Sequence, residues 1–450
     1  MPIRDIVLTA IIVGLIPVCL SRPWIGILVW SWIGYMNPHK LCWGFARTMP
    51  VGYIVAIPVL MGIVSVPDKE RRPIPFTRET WMLLFLWLDY AFTTSISFYP
   101  ELAWPHLWKV SKILLFTFLT LMYFQDRARL RALFMVLALS IGFYGLKGGI
   151  WVFRTPTLGS GAVLGPEGTF IGGNTEIGLA LDMTLPFLLI LAREERRRWL
   201  RRLMLTAFGF STIAILFTYS RGAILGLPVV LMMLFMRARR RVIGIVAIVL
   251  FGYFINFYPP PEWFNRMQTL ETYEQDRSSM MRLQSWYVAW HFALDHPLTG
   301  GGFWVLDHDE IFSLYLNDYI RAQSAHSIYL TVLGDHGFPG FFLYVGLILS
   351  SFWTLRRLRR AARRNPNAQW LVNYCQMIEA SLMGFAVSGA FLSQSYWDLF
   401  YHMVSFVVLL HVIAVREGIL AVPARLPAWS PAAVVSATVA GARPAALKAP

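Results

Sequence analysis

The chain has 450 residues, of which 56% are hydrophobic and only 14% charged, with a formal net charge of +15. A soluble domain carries about 25% charged residues, so this composition excludes one and points to a polytopic membrane protein. The excess of Lys and Arg falls in short runs between apolar segments, the positive-inside pattern, which removes nucleic acid as the reason for the charge.

A membrane span needs about 20 apolar residues, fewer where it is kinked. In chain order, spans are predicted over 3–36, 50–66, 80–97, 107–124, 129–151, 175–192, 199–218, 222–236, 241–258, 326–355, 371–393 and 397–415. The fold class expected is therefore an all-α polytopic integral membrane protein of about 12 transmembrane helices. Met1 to Leu20 has only a superficial likeness to a signal peptide, because no small-residue cleavage site follows, and it is read as retained. Residues 5–20 and 24–36 are each short and separated by Ser21-Arg22-Pro23. They are taken as one broken crossing with Met1 inside; a hairpin would give thirteen spans with Met1 outside. The charge runs Asp68 to Arg72, Asp126 to Arg129, Arg193 to Arg198, Arg237 to Arg241 and Arg356 to Arg364 then fall on one side, the cytoplasm.

The opposite side receives 37–49, 98–106, 152–174, 219–221, 393–397 and one long interval, 259–325. The chain thus divides into nine helices over 1–258, a periplasmic loop over 259–325, three helices over 326–415, and an Ala/Pro/Val-rich tail over 416–450 read as disordered and cytoplasmic. The long interval, opening at Tyr258-Pro259-Pro260-Pro261-Glu262-Trp263, is large enough for a small structured cap with a helix over Ser278 to Asp295. Cys19, Cys42 and Cys375 lie in or beside apolar stretches without CxxC spacing, and support neither a disulfide framework nor a zinc site.

Several polar residues stand out against this apolar background. Tyr219-Ser220-Arg221-Gly222 sits between two apolar runs on the outer side. An arginine at the hydrocarbon boundary is costly unless it faces a cavity or a partner. It reads either as an anion clamp, whose guanidinium fork matches phosphate oxygens, or as a snorkelling helix-end arginine. Arg282 lies on the predicted loop helix, with Arg266 and Arg277 nearby, and alone reads as a solvated arginine. The turn Pro297-Leu298-Thr299-Gly300-Gly301-Gly302 could bring backbone close to a ligand. His326, beside Gln323 and Ser324, opens a predicted membrane helix, where the helix dipole disfavours the cation. A neutral imidazole is what a general base requires; the bland alternative is an interfacial histidine bonded to the loop. His336 is read as structural. Lys147 and Arg154 could add charge to a shared outer cavity, or be ordinary loop charges. Asp307-His308-Asp309 has the D-x-D form of a metal-binding motif but no convincing set of further ligands, so no metal is expected. No Walker loop, G-x-S-x-G elbow or H-E-x-x-H helix is present, which argues against an ATPase, a serine hydrolase and a zinc protease.

Tyr219-Ser220-Arg221-Gly222 closing one span, Arg282-x-x-x-Trp286, His296-Pro297-Leu298-x-Gly300-x-Gly302 and His326-Ser327-x-x-Leu330 with Gly337-x-x-Gly340 together resemble the O-antigen ligase and polymerase family of bacterial inner-membrane glycosyltransferases. Members commonly carry Asn after the motif histidine, where this chain has Ser327. The opening, with Arg22-Pro23-x-x-Gly26 and Met36-Asn37-Pro38-His39, is also similar to O-glycosylation ligases associated with exosortase systems. The resemblance implies a GT-C-like helical membrane enzyme with its site at the periplasmic face of the inner membrane. It implies a donor glycan on undecaprenyl diphosphate, an acceptor hydroxyl on lipid A–core, and no cofactor. It assigns His326 as general base and Arg221 and Arg282 to the pyrophosphate, with Lys147 and Arg154 as helpers and Tyr219, Gly300, Gly302 and Gln323 in support. Alternatives with the same donor are a polymerase and a protein O-glycosyltransferase. From another class comes a lipid-linked glycan transporter, which would favour mid-membrane charges and repeated halves; no internal repeat is visible.

Overall fold

The computed structural model describes residues 3–65, 71–155, 161–235, 277–319 and 321–420. The predicted span 241–258, the stretch at Tyr258 to Trp263, Arg266, the run at Arg237 and the tail beyond residue 420 lie outside the described residues. Among the described residues there is no strand. The first helices are α1 (Ile3–Ser21), α2 (Pro23–Met36), α3 (Val51–Ser65), α4 (Arg78–Ser95) and α5 (Pro100–Tyr123). They are followed by α6 (Arg127–Arg154), α7 (Asn174–Glu194), α8 (Arg198–Leu216) and α9 (Arg221–Phe235). The remainder comprises α10 (Arg277–Asp295), α11 (Asp309–Tyr315), α12 (Ile328–Ala362), α13 (Gln369–Ser388) and α14 (Asp398–Arg416).

Among the described residues, six helices are long and apolar enough to cross a membrane: α1, α6, α7, α8, α12 and α14. This is the pattern of a polytopic membrane protein, although it is fewer than the twelve predicted spans. Helices such as α2, at 14 residues, and α3, at 15, reach only about 21–23 Å at 1.5 Å per residue. Helix α7 lies at the centre of the bundle, where nearly every residue from Ile177 to Ala192 is buried.

The first 36 residues differ from the expected single broken crossing. The buried Asp5 carboxylate accepts hydrogen bonds from the backbone of Gly44 (3.0 Å) and Ala46 (2.9 Å), in the loop that follows α2. At the other end of α1, Leu20 backbone lies against Gly62 of α3, and Cys19 against Gly26 of α2. The start of α1 is therefore beside the end of α2, and its end beside the start of α2. The two helices form an antiparallel hairpin. Arg22 breaks the helical ladder with φ −133°, and Pro23 opens the second arm, where its missing N–H costs nothing.

The bundle has two distinct ends. At one, the described parts of the charge runs interlock. Arg72 and Arg416 both donate to the Gln125 carbonyl (3.3 and 3.2 Å), Arg131 pairs with Glu195 (2.9 Å), and Asn373 donates to Glu194 (2.9 Å). Arg129 stacks over Trp24, just past the turn of the α1–α2 hairpin. At the opposite end, here called the loop face, Val163 donates to the Phe217 carbonyl (2.8 Å), Gln394 to the Phe170 carbonyl (3.1 Å), and Phe98 to the Gly301 carbonyl (3.1 Å).

The hairpin places residue 3 and residue 40 at the same end. Ile3→Cys and Lys40→Cys should therefore react with a membrane-impermeant thiol reagent from the same side; labelling from opposite sides would restore the single crossing.

Candidate active site

Arg221 is the first residue of α9, and the turn before it is stitched by its own side chains. Asn174 donates to the Thr218 carbonyl (2.8 Å), and the Ser220 hydroxyl accepts from the Ala223 N–H (3.3 Å) as a helix cap. Tyr219, buried, takes a left-handed backbone (φ 52°), uncommon outside glycine. Gly222 allows the helix start to lie against α13, since a Cβ there would fall 2.9 Å from the Ser388 carbonyl oxygen. From this fixed base the half-buried Arg221 side chain reaches α10 and donates to Ser279 Oγ at 2.6 Å.

Helix α10 packs on a small apolar core of its own, in which Val288, Ala289 and Phe292 meet Val305, Leu306, Ile311, Phe312, Ala322 and Ala325. The described part of residues 277–325 thus has an apolar cluster of its own. Trp286 Nε1 donates to the Ala325 carbonyl at 2.7 Å, tying α10 to the residue before His326. Ser324 Oγ meets Ser393 Oγ at 2.9 Å on the other side.

His326 does not open the membrane helix. Helix α12 begins at Ile328 with Ser327 as its cap residue, and His326 sits in the loop before it with φ 45°. Burial, and secondarily the nearby Arg282 guanidinium, lower its imidazole from the usual value to about 4. That lowering favours the neutral ring and comes from desolvation first and a neighbouring charge second, not from a helix dipole. Arg282 lies one helical turn from Ser279 on α10. Arg282 is brought near His326, and Arg221 reaches the same helix one turn away, at Ser279.

The glycine turn has a different neighbour from the ligand foreseen for it. Gly301 N–H donates to the Gly334 carbonyl (3.0 Å), Gly302 N–H to the Asp335 carbonyl (2.8 Å), and Phe338 N–H to the Pro297 carbonyl (2.8 Å). Gly300 has φ 56°, and a Cβ there would fall 2.6 Å from the backbone of Gly334, Asp335 and Gly337. The close approach that glycine permits is made to the kink of α12, where Gly337 has non-helical φ 64°. Lys147 and Arg154 are not brought to the site: both are exposed on the outward face of α6, in a stripe with Phe143, Ile150 and Phe153. Gln323 is half-buried next to Ser324. Within Asp307-His308-Asp309, the Asp309 carboxylate accepts from the Ala322 N–H (3.1 Å) and His308 stacks on Tyr99 with centroids 3.5 Å apart, so both fold the loop. His336 is structural, buried with Nδ1 2.6 Å from Thr93 Oγ1. Sequence reasoning missed Ser279 and Ser393, because a serine carries no signal until its partner is known.

One guanidinium, that of Arg282, thus acts on the desolvated His326 imidazole, while Arg221 is tied to the same helix one turn away through Ser279. Residues 184–345 match a family model described as O-antigen ligase, and that segment contains Arg221, Arg282 and His326. The match supports the O-antigen ligase and polymerase family for this segment. Residues 3–171 match a second family model, described only as a family of unknown function. No curated protein matches the chain.

Arg282→Gln should raise the imidazole of His326 above about 4, since the lowering charge is removed while burial stays; an unmoved value in a labelled-histidine NMR titration would refute the contact. Gly300→Ala should destabilise the protein by about 1–3 kcal/mol or more through overpacking against α12, read as a lower melting temperature in detergent.

Proposed function

We propose that the protein is an O-antigen ligase. It transfers polysaccharide from undecaprenyl diphosphate to a sugar hydroxyl of lipid A–core at the periplasmic face of the inner membrane. The observation that supports this reading is Arg282 acting on His326, with Arg221 tied to the Arg282 helix through Ser279, within the family-matched segment. In the reaction the acceptor oxygen attacks the anomeric carbon of the donor and forms the new glycosidic bond. The bond from that carbon to the diphosphate oxygen breaks, and undecaprenyl diphosphate leaves with the electron pair. The acceptor proton passes to a ring nitrogen of His326. Direct displacement inverts the anomeric configuration.

Charge develops on the leaving diphosphate, and fixed donors aimed at developing charge supply a large share of such catalysis. Arg221, seated on Ser279, and Arg282 fill that role without asking for a metal. Their arrangement also tunes the base. In the absence of donor, Arg282 helps depress His326 to about 4, too weak for an efficient base near neutrality. A diphosphate bound on Arg282 offsets the guanidinium's share of that lowering, while the larger share, from burial, stays.

The test is a transfer assay with purified protein, undecaprenyl-diphosphate glycan and lipid A–core in EDTA. Ligated product is expected from wild type. His326→Ala should give none while remaining folded, and near-normal turnover would remove the base assignment. Arg221→Lys should lose roughly 10²-fold or more, because a point charge does not reproduce the guanidinium fork. Donor consumption only with a lipid-linked glycan or protein acceptor would move the reading to a polymerase or protein glycosyltransferase. No donor consumption at all would favour a transporter.

A further inference from the structure

Helix α5 carries two polar side chains, one turn apart, that the proposed transfer chemistry leaves unused. His106 Nδ1 donates to the Leu102 carbonyl (2.9 Å), which leaves Nε2 of the neutral ring as an acceptor. Its ring lies 4.9 Å from that of Trp304. Lys109, an exposed residue, holds its ammonium 3.8 Å from the centre of the Phe170 ring. The Phe170 carbonyl accepts from Gln394, the residue after Ser393, and Ser393 meets Ser324 two residues before His326. Lys109 and His326 are thus joined along the loop face through Phe170, Gln394, Ser393 and Ser324. The charged groups that Lys109 faces are the Asp398 carboxylate, at the start of α14, and Lys112 on its own helix.

Trp304 is the unusual member of this group. It is 39% exposed, although it lies between Phe303 and Val305, both fully buried. Its backbone is left-handed (φ 68°), a strained state for a bulky residue. The strain is held by Asp335, whose buried carboxylate accepts from the N–H groups of Trp304 and Val305 and from the Tyr396 hydroxyl (2.7 Å). Over-determined strain of this kind collects at ligand clamps. Here it presents an indole beside an imidazole acceptor and an ammonium, the combination that suits a sugar ring bearing an anionic substituent.

We propose that Trp304, His106 and Lys109 form a second glycan subsite, distinct from the arginine pair, which receives the acceptor saccharide. The indole face stacks on a sugar ring, His106 Nε2 accepts from a hydroxyl, and Lys109 binds a phosphate or carboxylate substituent. This rests on the glycosyl-transfer reading. A direct displacement needs the acceptor oxygen on the face of the anomeric carbon opposite the diphosphate, and cationic groups at two separate places keep the acceptor's anion from competing for the diphosphate site.

The experiment uses the full-length protein in nanodiscs. The probe is a fluorescently labelled core oligosaccharide freed of lipid A, in its phosphorylated form and after dephosphorylation. Lys109→Gln should weaken binding of the phosphorylated probe roughly tenfold or more, as for a hydrogen bond to a charged group, and leave the dephosphorylated probe unaffected. Trp304→Leu should weaken both, and Trp304→Phe, which keeps an aromatic face, should retain most binding if the leucine variant does not fold. In turnover, Lys109→Gln should raise KM for the acceptor with the donor KM unchanged. Equal rises in both would place Lys109 in the donor site and overturn the proposal. So would wild-type protein that does not bind the probe, or variants indistinguishable from wild type while donor is still consumed, which would leave the transfer reading standing. Probe binding lost in Lys109→Gln, with no donor consumption by wild type, would keep the subsite and sink the transfer reading.

Discussion

The site depends on one main-chain contact, the docking of the glycine turn 297–302 onto the kink of α12. Gly337 interrupts the helical ladder and frees backbone groups in a buried setting, where each unpaired group costs several kcal/mol. The turn satisfies them: Pro297 takes the Phe338 N–H, while Gly301 and Gly302 give theirs to Gly334 and Asp335. Each irregularity completes the other, and only glycine at both places lets the two backbones come this close. Because the turn follows α10 directly, this docking fixes where α10 lies, and with it Arg282 and the Trp286 bond to Ala325.

The electrostatics follow from that placement. Bringing Arg282 next to a desolvated His326 makes a region that repels a further proton and attracts an anion. On the proposed chemistry, a diphosphate on Arg282 relieves only the smaller, guanidinium part of that lowering. Arg221 is held from the opposite direction, by the cap at Ser220 and by Ser279 on α10. Its position is thus set by two elements distant in sequence.

The two family matches meet between residues 171 and 184, and the structure shows what each side of that boundary contributes. The later segment supplies the arginine pair and the histidine. The earlier one supplies the α1–α2 hairpin, α5, and the loop that carries Val163 and Phe170 against Phe217 and Gln394. Residues 3–171 therefore wall one side of the loop face. On the proposed subsite they provide the acceptor's Lys109 and His106, while Trp304 comes from the later segment.

The membrane class, the apolar helices and the gathering of basic runs at one end were legible in the sequence, because they depend on composition and on charge at segment ends. The residues of the proposed site, Arg221, Arg282 and His326, were singled out by motif order and the cost of a charge near hydrocarbon. Other features were decided by packing between distant segments. Whether residues 3–36 turn back was settled by Asp5 reaching Gly44 and Ala46, a contact no local pattern encodes. Lys147 and Arg154 looked like site residues by their place along α6, but the helix turns them outward. Lys109 was only a lysine inside a predicted span until Phe170 and Asp398 were placed around it. Sequence determined which groups this protein places near the membrane and roughly at which end. Tertiary structure alone decided which of them meet, because the direction a side chain faces on a helix is set by what packs on the other sides.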